Sequence, residues 1–174
     1  MEYRKFELLY PQDRIARRIG ELGQQISDDY KDKNPILIGI LKGCIIFMAD
    51  LIRSISVPME LEFISASSYK NGRVASDQVV MGENPDVSLS NRHLLMVEGV
   101  VDSGKTIYSI TEKLKLEKPA SIEVVTLLDK PRCRKVAMNI KYVGFDAGSD
   151  FVIGFGLDVD QNYRNLPFIG KVTE

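Results

Sequence analysis

His93-Leu94-Leu95-Met96-Val97-Glu98-Gly99-Val100-Val101 runs straight into Asp102-Ser103-Gly104-Lys105-Thr106, and a helical pattern follows to about Leu116. The first nine residues are mostly apolar and rich in β-branched side chains, the composition of a strand buried on both faces. Ile107, Ile110 and Leu114 recur every three to four residues, one stripe of an amphipathic helix. A strand that turns through Ser-Gly into a helix presents unpaired backbone N–H groups and the positive end of the helix dipole to an anion. Lys105 and the hydroxyls of Ser103 and Thr106 add donors, and a phosphate monoester is the natural guest.

The neighbouring segments repeat the same grammar. Ile15, Ile19, Leu22 and Ile26 mark a helix between Pro11 and Tyr30, and Pro35–Leu41 (PILIGIL) is a short apolar strand. It ends in Lys42-Gly43, and CIIFMADLIRSI predicts a helix packed on it. Met59–Ser65, Ser121–Leu128, Tyr142–Phe145 and Phe151–Phe155 are further strand candidates. Tyr69–Asn91 is polar and glycine-bearing, with a small apolar island at Val79–Met81, and predicts a weakly structured functional loop. Strands alternating with helices predict an α/β fold with a parallel sheet, whose ligands bind beyond the carboxyl ends of the strands. Leu41, Glu98 and Asp158 lie near such ends.

Composition narrows the classes. The 174 residues suffice for one domain, expected to span 1–174, with 44% hydrophobic and 27% charged residues. Lysine plus arginine number 23 against 24 aspartate plus glutamate, so no general nucleic-acid footprint exists. Cys44 and Cys133 make neither a disulfide framework nor a metal quartet, and His93 is the single histidine, which excludes a three-histidine metal site. The start is charged throughout, and the longest apolar stretch, Pro35–Ile52, is interrupted by Lys42 and Asp50. No membrane association is expected, and the setting is cytoplasmic.

Several local patterns compete. Gly99–Thr106 satisfies the P-loop pattern G-x-x-x-x-G-K-[ST] to the letter, which would make the chain a nucleoside triphosphatase. Against this, Val100 and Val101 suit a strand better than an open loop, and Glu98 and Asp102 would face bound phosphates. Asp158-Val159-Asp160 imitates a calcium loop but lacks its glycine and its final glutamate. Gly154-Phe155-Gly156 lacks the next glycine of a dinucleotide site. The basic run Lys130, Arg132, Arg134, Lys135 is taken as a solvated loop, Cys44 as a packed small residue and His93 as a surface or interface residue.

Val97–Thr106 closely resembles the phosphoribosyl pyrophosphate (PRPP) signature of type I phosphoribosyltransferases. Leu41-Lys42-Gly43 is similar to the pyrophosphate-binding turn of the hypoxanthine–guanine phosphoribosyltransferases, and Ser67-Ser68-Tyr69 to the start of their mobile loop. Tyr142–Phe145 with Phe151–Asp158 resembles their purine-binding segment, and Asn162–Pro167 the stretch carrying a pyrophosphate-contacting arginine, here Arg164. The five motifs fall in the family's order from Leu41 to Leu166.

The resemblance implies a parallel-sheet core with a small hood, and a transfer of a purine base to PRPP with Mg²⁺ as cofactor. It gives the 5′-phosphate to Asp102, Ser103, Gly104, Lys105 and Thr106, and the pyrophosphate to Leu41, Lys42, Gly43 and Arg164. Ser68 and Tyr69 would close over the site, Glu98 would meet the ribose hydroxyls or Mg²⁺, and Asp158 would hold a second Mg²⁺. Asp102 would be the general base, Phe151 would stack on the purine, and Val152 would offer it backbone groups. A homodimer or homotetramer is implied.

Two departures stand out. The family carries two adjacent acids where this chain has Glu98-Gly99, a loss of about 1.5–3 kcal/mol if the missing carboxylate accepted a hydrogen bond. It also carries a base-reading lysine at the position of Asn139, an amide that both donates and accepts; Lys141, two residues on, is a candidate replacement. Asp146-Ala147-Gly148 likewise replaces the family's Glu-Ile-Pro. These changes keep open a weakly active or purely PRPP-binding homologue with altered base specificity.

Overall fold

The computed structural model describes residues 5–68, 79–81 and 87–173. Helix α1 (Gln12–Asp29) buries Ile15, Ile19, Leu22 and Ile26 completely, the stripe read from the sequence. Each such side chain contributes roughly 1.5–3 kcal/mol on leaving water. Strand β2 (Ile36–Leu41) leads into α2 (Ile45–Ser54), β3 is Glu60–Ser68, and β5 (His93–Val101) leads into α3 (Lys105–Lys115). Strands β6 (Ser121–Asp129) and β7 (Tyr142–Asp146) follow.

These strands form a six-stranded sheet in the order β4-β3-β2-β5-β6-β7. All neighbours from β3 to β7 are parallel, and the edge strand β4 (Val79–Met81) is antiparallel to β3. The island expected inside a loop is therefore a strand: its Val79 pairs with Ser68 and its Met81 with Ala66. One face of the sheet packs on α1 and α2 through Leu37, Leu95, Val97 and Val125, the other on α3 through Ile38, Leu94, Met96 and Ile107. Chain order runs one way from β2 to β3 and the other way from β5 to β7, so the gap between the carboxyl ends of β2 and β5 is the topological switch point.

A second, three-stranded antiparallel sheet joins β1 (Phe6–Tyr10), β9 (Ile169–Val172) and β8 (Val152–Ile153), in the order β1-β9-β8. Here the structure corrects the strand expected over Phe151–Phe155. Only two residues pair, because Gly154 and Phe155 adopt positive φ and turn the chain into a tight loop closed by Gly154 and Leu157. The small sheet is the hood, tied to the core where Tyr10 stacks on Phe145 of β7 at 4.3 Å and its hydroxyl donates to the Asp146 carbonyl at 2.7 Å.

Candidate active site

The switch point gathers most of the residues singled out in the sequence. Leu41 closes β2 and is followed by the exposed Lys42, with a cis peptide between them. Glu98 lies near the end of β5, partly buried, and Gly43 approaches it: a Cβ built on Gly43 would stand 3.9 Å from Glu98 Oε1. Burial pushes the Glu98 carboxyl up to about 8, although the N–H groups of Gly99 (2.9 Å) and Val100 favour its charged form.

Asp102, Ser103 and Gly104 form the turn after β5. Gly104 has a φ of +80°, the left-handed conformation that glycine adopts without strain, and caps α3 as its first turn begins at Lys105. A side chain there would also strike Met138 Sδ at 2.8 Å and Arg134 Cδ at 2.9 Å. The Ser103 hydroxyl accepts from the Lys105 N–H at 3.4 Å, and the Ser103 carbonyl from the Lys135 N–H at 2.9 Å, so the turn is braced from both sides. The helix starts where the sequence expects its anion seat, with Thr106 in the first turn and the positive end of the helix dipole at Gly104.

From the hood, the segment after β8 folds back over this end of the sheet. Leu157 Cδ2 would lie 3.6 Å from a Cβ on Gly43 and 3.1 Å from one on Gly99. Arg164 donates to the Gly156 carbonyl at 2.7 Å and pairs with Asp158 Oδ1 at 2.8 Å, while Asp158 Oδ2 accepts from the Gln161 N–H at 2.9 Å. Phe151 is 55% exposed, an unspent aromatic face at the hood's edge. The Val172 N–H donates to the Phe151 carbonyl, so the next pair, Val152 with Lys171, is a non-hydrogen-bonded one. The Val152 N–H and carbonyl consequently point away from β9. Ser68 ends β3, and Tyr69 lies outside the described residues.

A model of the phosphoribosyl transferase domain matches residues 7–162. The chain belongs to the phosphoribosyltransferase family. It is 42% identical over 169 residues to the hypoxanthine phosphoribosyltransferase of Salmonella typhimurium, covering 96% of this chain and 95% of that one. With the hypoxanthine-guanine phosphoribosyltransferase of Streptococcus thermophilus it shares 39% over 168 residues, 97% of this chain and 93% of the relative. The crystal structure of a hypoxanthine-guanine phosphoribosyltransferase from Bacillus anthracis superposes with a TM-score of 0.91 at 36% identity, covering 98% of this chain and all of that one.

Within this phosphoribosyltransferase fold the P-loop alternative fails on backbone grounds. Gly99, Val100 and Val101 continue β5, with Val100 and Val101 paired to Leu128 and Asp129, so no open loop begins at Gly99. The basic run is a solvated loop only at Arg132 and Lys135, which are exposed; Lys130 and Arg134 turn inward. Lys130 is 5% exposed, its N–H donates to the Val101 carbonyl at 3.0 Å, and its Nζ lies 3.5 Å from Asp102 Oδ2. Arg134 pairs with Asp129, both side chains largely buried, and its Nη1 reaches Met138 Sδ at 3.3 Å. Sequence reading passed over Lys130 because charge density alone suggests solvent; its place directly after a buried strand is the signal that marks it.

Asn139 is exposed and lines a cleft of about 260 Å³ between α3 and β6 with Tyr108, Thr111 and Glu123, apart from the Asp102–Lys130 pair. Lys141 does not replace it there: its ammonium pairs with Asp29 at 2.9 Å, at the carboxyl end of α1, where Tyr142 also donates to Asp29 at 2.6 Å. Cys44 is fully buried, and burial with the nearby Glu98 carboxylate pushes its thiol up to about 12, the state of a packed residue. His93 Nδ1 lies 2.8 Å from Ser121 Oγ, at the opposite end of β5 from Asp102.

Among the described residues no cluster of three or more His, Cys, Asp or Glu could cage a metal. The donor chemistry nonetheless fits Mg²⁺, which needs only one or two carboxylates when substrate oxygens and water complete its shell. The Glu98 carboxylate stands beside Gly43 at the switch point, and the Asp158 carboxylate lies on the hood segment, paired with Arg164.

Proposed function

We propose that this chain, working as one phosphoribosyltransferase domain, joins hypoxanthine or guanine to PRPP in purine salvage, giving the nucleoside 5′-monophosphate and pyrophosphate. The observation that carries this reading is the convergence on one switch point of the start of α3, a lysine-bearing turn and the hood loop that Arg164 braces through the Gly156 carbonyl. The N–H groups at the start of α3, with Ser103 and Thr106, hold the 5′-phosphate. Glu98 accepts hydrogen bonds from the ribose hydroxyls. The Leu41-Lys42-Gly43 turn and Arg164 neutralise the pyrophosphate, and Ser68 and Tyr69 begin the segment that excludes water.

A purine ring nitrogen attacks C1 of the ribose; the new N–C bond forms as the C–O bond to pyrophosphate breaks, and its electron pair leaves with the pyrophosphate. The proton on the purine nitrogen passes to Asp102. Lys130 Nζ lies 3.5 Å from that carboxylate and puts a positive charge beside it. Phe151 stacks on the base, and the backbone of Val152 meets its edge. Glu98 and Asp158 would hold Mg²⁺, which when bound adds positive charge against the departing pyrophosphate. The working setting is a cytoplasmic homodimer or homotetramer.

The test is pyrophosphate release from PRPP and Mg²⁺ with hypoxanthine, guanine, xanthine and adenine in turn, with Asp102→Ala as control. Release with a 6-oxopurine, lost in the variant, is the expected result. Release mainly with adenine would move the specificity to an amino purine. Silence with all four bases while PRPP still binds would overturn the transferase reading in favour of a binding protein.

A further inference from the structure

Three glycines meet at the switch point. A Cβ on Gly99 would lie 2.7 Å from the Gly43 carbonyl oxygen and 3.1 Å from Leu157 Cδ2, and a Cβ on Gly156 would lie 2.6 Å from the same oxygen. Distances under 3.0 Å are ones that real Cβ atoms essentially never show. The obstructing atom belongs to the backbone, so no side-chain rotation relieves the clash. Gly156, at a φ of +95°, is also in the conformation that suits glycine alone. The Gly43 carbonyl is thus seated between two bare α-carbons, one on β5 and one on the hood.

Gly99 is also where the family's second acid is missing. A lost carboxylate by itself would leave a gap at that point; instead the adjoining turn fills it. We propose that Gly99 is a positioning residue: its lack of a side chain lets the Lys42–Gly43 turn settle against β5 and the hood, and that seat sets where the turn meets the pyrophosphate of PRPP. The proposal rests on the reading above that this turn holds pyrophosphate. Its consequence runs against simple restoration. Gly99→Asp, which reinstates the family's acid, pushes the turn outward and weakens PRPP binding, and Gly99→Ala, which adds no charge, does the same.

Both variants are made in the full chain and assayed for kcat, for KM of PRPP and of hypoxanthine, for inhibition by pyrophosphate, and for Tm. Expected in both is a PRPP KM raised about tenfold, with pyrophosphate inhibition weakened to match and the hypoxanthine KM within about twofold of the parent. A PRPP KM below the parent's in Gly99→Asp would overturn the proposal, because the site would then merely have lacked its acid. A fall in Tm with both PRPP KM and pyrophosphate inhibition unchanged would overturn it too, leaving a packing role alone. Should Gly99→Asp fail to fold, Gly99→Ala decides. If the parent shows no transferase activity, the function reading fails separately. Calorimetry with pyrophosphate and Mg²⁺ then compares parent and Gly99→Ala, and equal affinity refutes the seat.

Discussion

Glu98→Gln should stabilise the ligand-free protein at alkaline pH and leave it unchanged in acid. Burial raises the Glu98 carboxyl from 4.5 to about 8, the N–H groups of Gly99 and Val100 opposing the rise. The folded protein therefore holds this proton more tightly than the unfolded chain does. Its contribution to stability is complete below about 4.5, declines as pH rises, and is gone above about 8. Across that window each pH unit costs about 1.4 kcal/mol. Allowing for the partial exposure of the site, the whole loss is about 3–5 kcal/mol. At roughly 2–4 °C per kcal/mol for a chain of this size, the parent should melt at least roughly 6 °C below Glu98→Gln at pH 9 and level with it at pH 4.5. Urea unfolding of both proteins without ligand, at one-unit steps from pH 4.5 to 9, measures the difference directly. A stability difference that stays flat across that range would refute the reasoning. A second measurement separates burial from function. If Glu98 meets the ribose as a carboxylate, PRPP binding near neutral pH must release a proton, visible by calorimetry in two buffers of different ionisation enthalpy. No proton exchange would mean that the neutral acid does the binding.

The remaining predictions concern the cations that the hidden end of β6 supplies. Lys130→Met replaces a buried ammonium by an apolar side chain of similar volume, so Tm should hold within a few degrees while kcat falls by roughly tenfold as Asp102 loses its neighbour. Steady-state kinetics beside a melting curve check this, and an unchanged kcat would remove Lys130 from the reaction. Arg134→Met leaves the Asp129 carboxylate buried without its partner and uncovers Gly104. A loss of about 3–5 kcal/mol in urea unfolding is expected, and a loss under about 1 kcal/mol would show that the pair contributes little.

The main sheet and its helices were legible because their signals are local. Helix α1 announces itself by isoleucines and leucine at helical spacing, and β2 and β5 by unbroken apolar runs, each readable within a dozen residues. The turn at Asp102–Thr106 was legible for the same reason: strand, turn and helix start are adjacent in the chain. The hood was not. Phe6–Tyr10 is short and half charged in its surroundings, and it is a strand because Ile169–Val172, from the far end of the chain, pairs with it. Phe151–Phe155 has the composition of a longer strand, but positive φ at Gly154 and Phe155 cuts it to two residues.

The chemistry divides along the same line. The roles expected of Asp102, Glu98, Lys42 and Arg164 come from the resemblance of their motifs, in order, to those of the family, and motif order is legible along the chain. Burial does not travel in spacing. Lys130 sits in a run of positive charge that suggests solvent, yet the parallel pairing of β5 with β6 brings it under Asp102. Lys141 has the right charge and the wrong address, drawn to Asp29 by contacts more than a hundred residues apart in the chain. Gly99 shows the limit most clearly. Taken along the chain it is an acid gone missing; in three dimensions it is the space that the Gly43 carbonyl occupies. What a stretch of chain can become is set by its own residues, whereas what a side chain, or its absence, does is set by the atoms that tertiary folding brings against it.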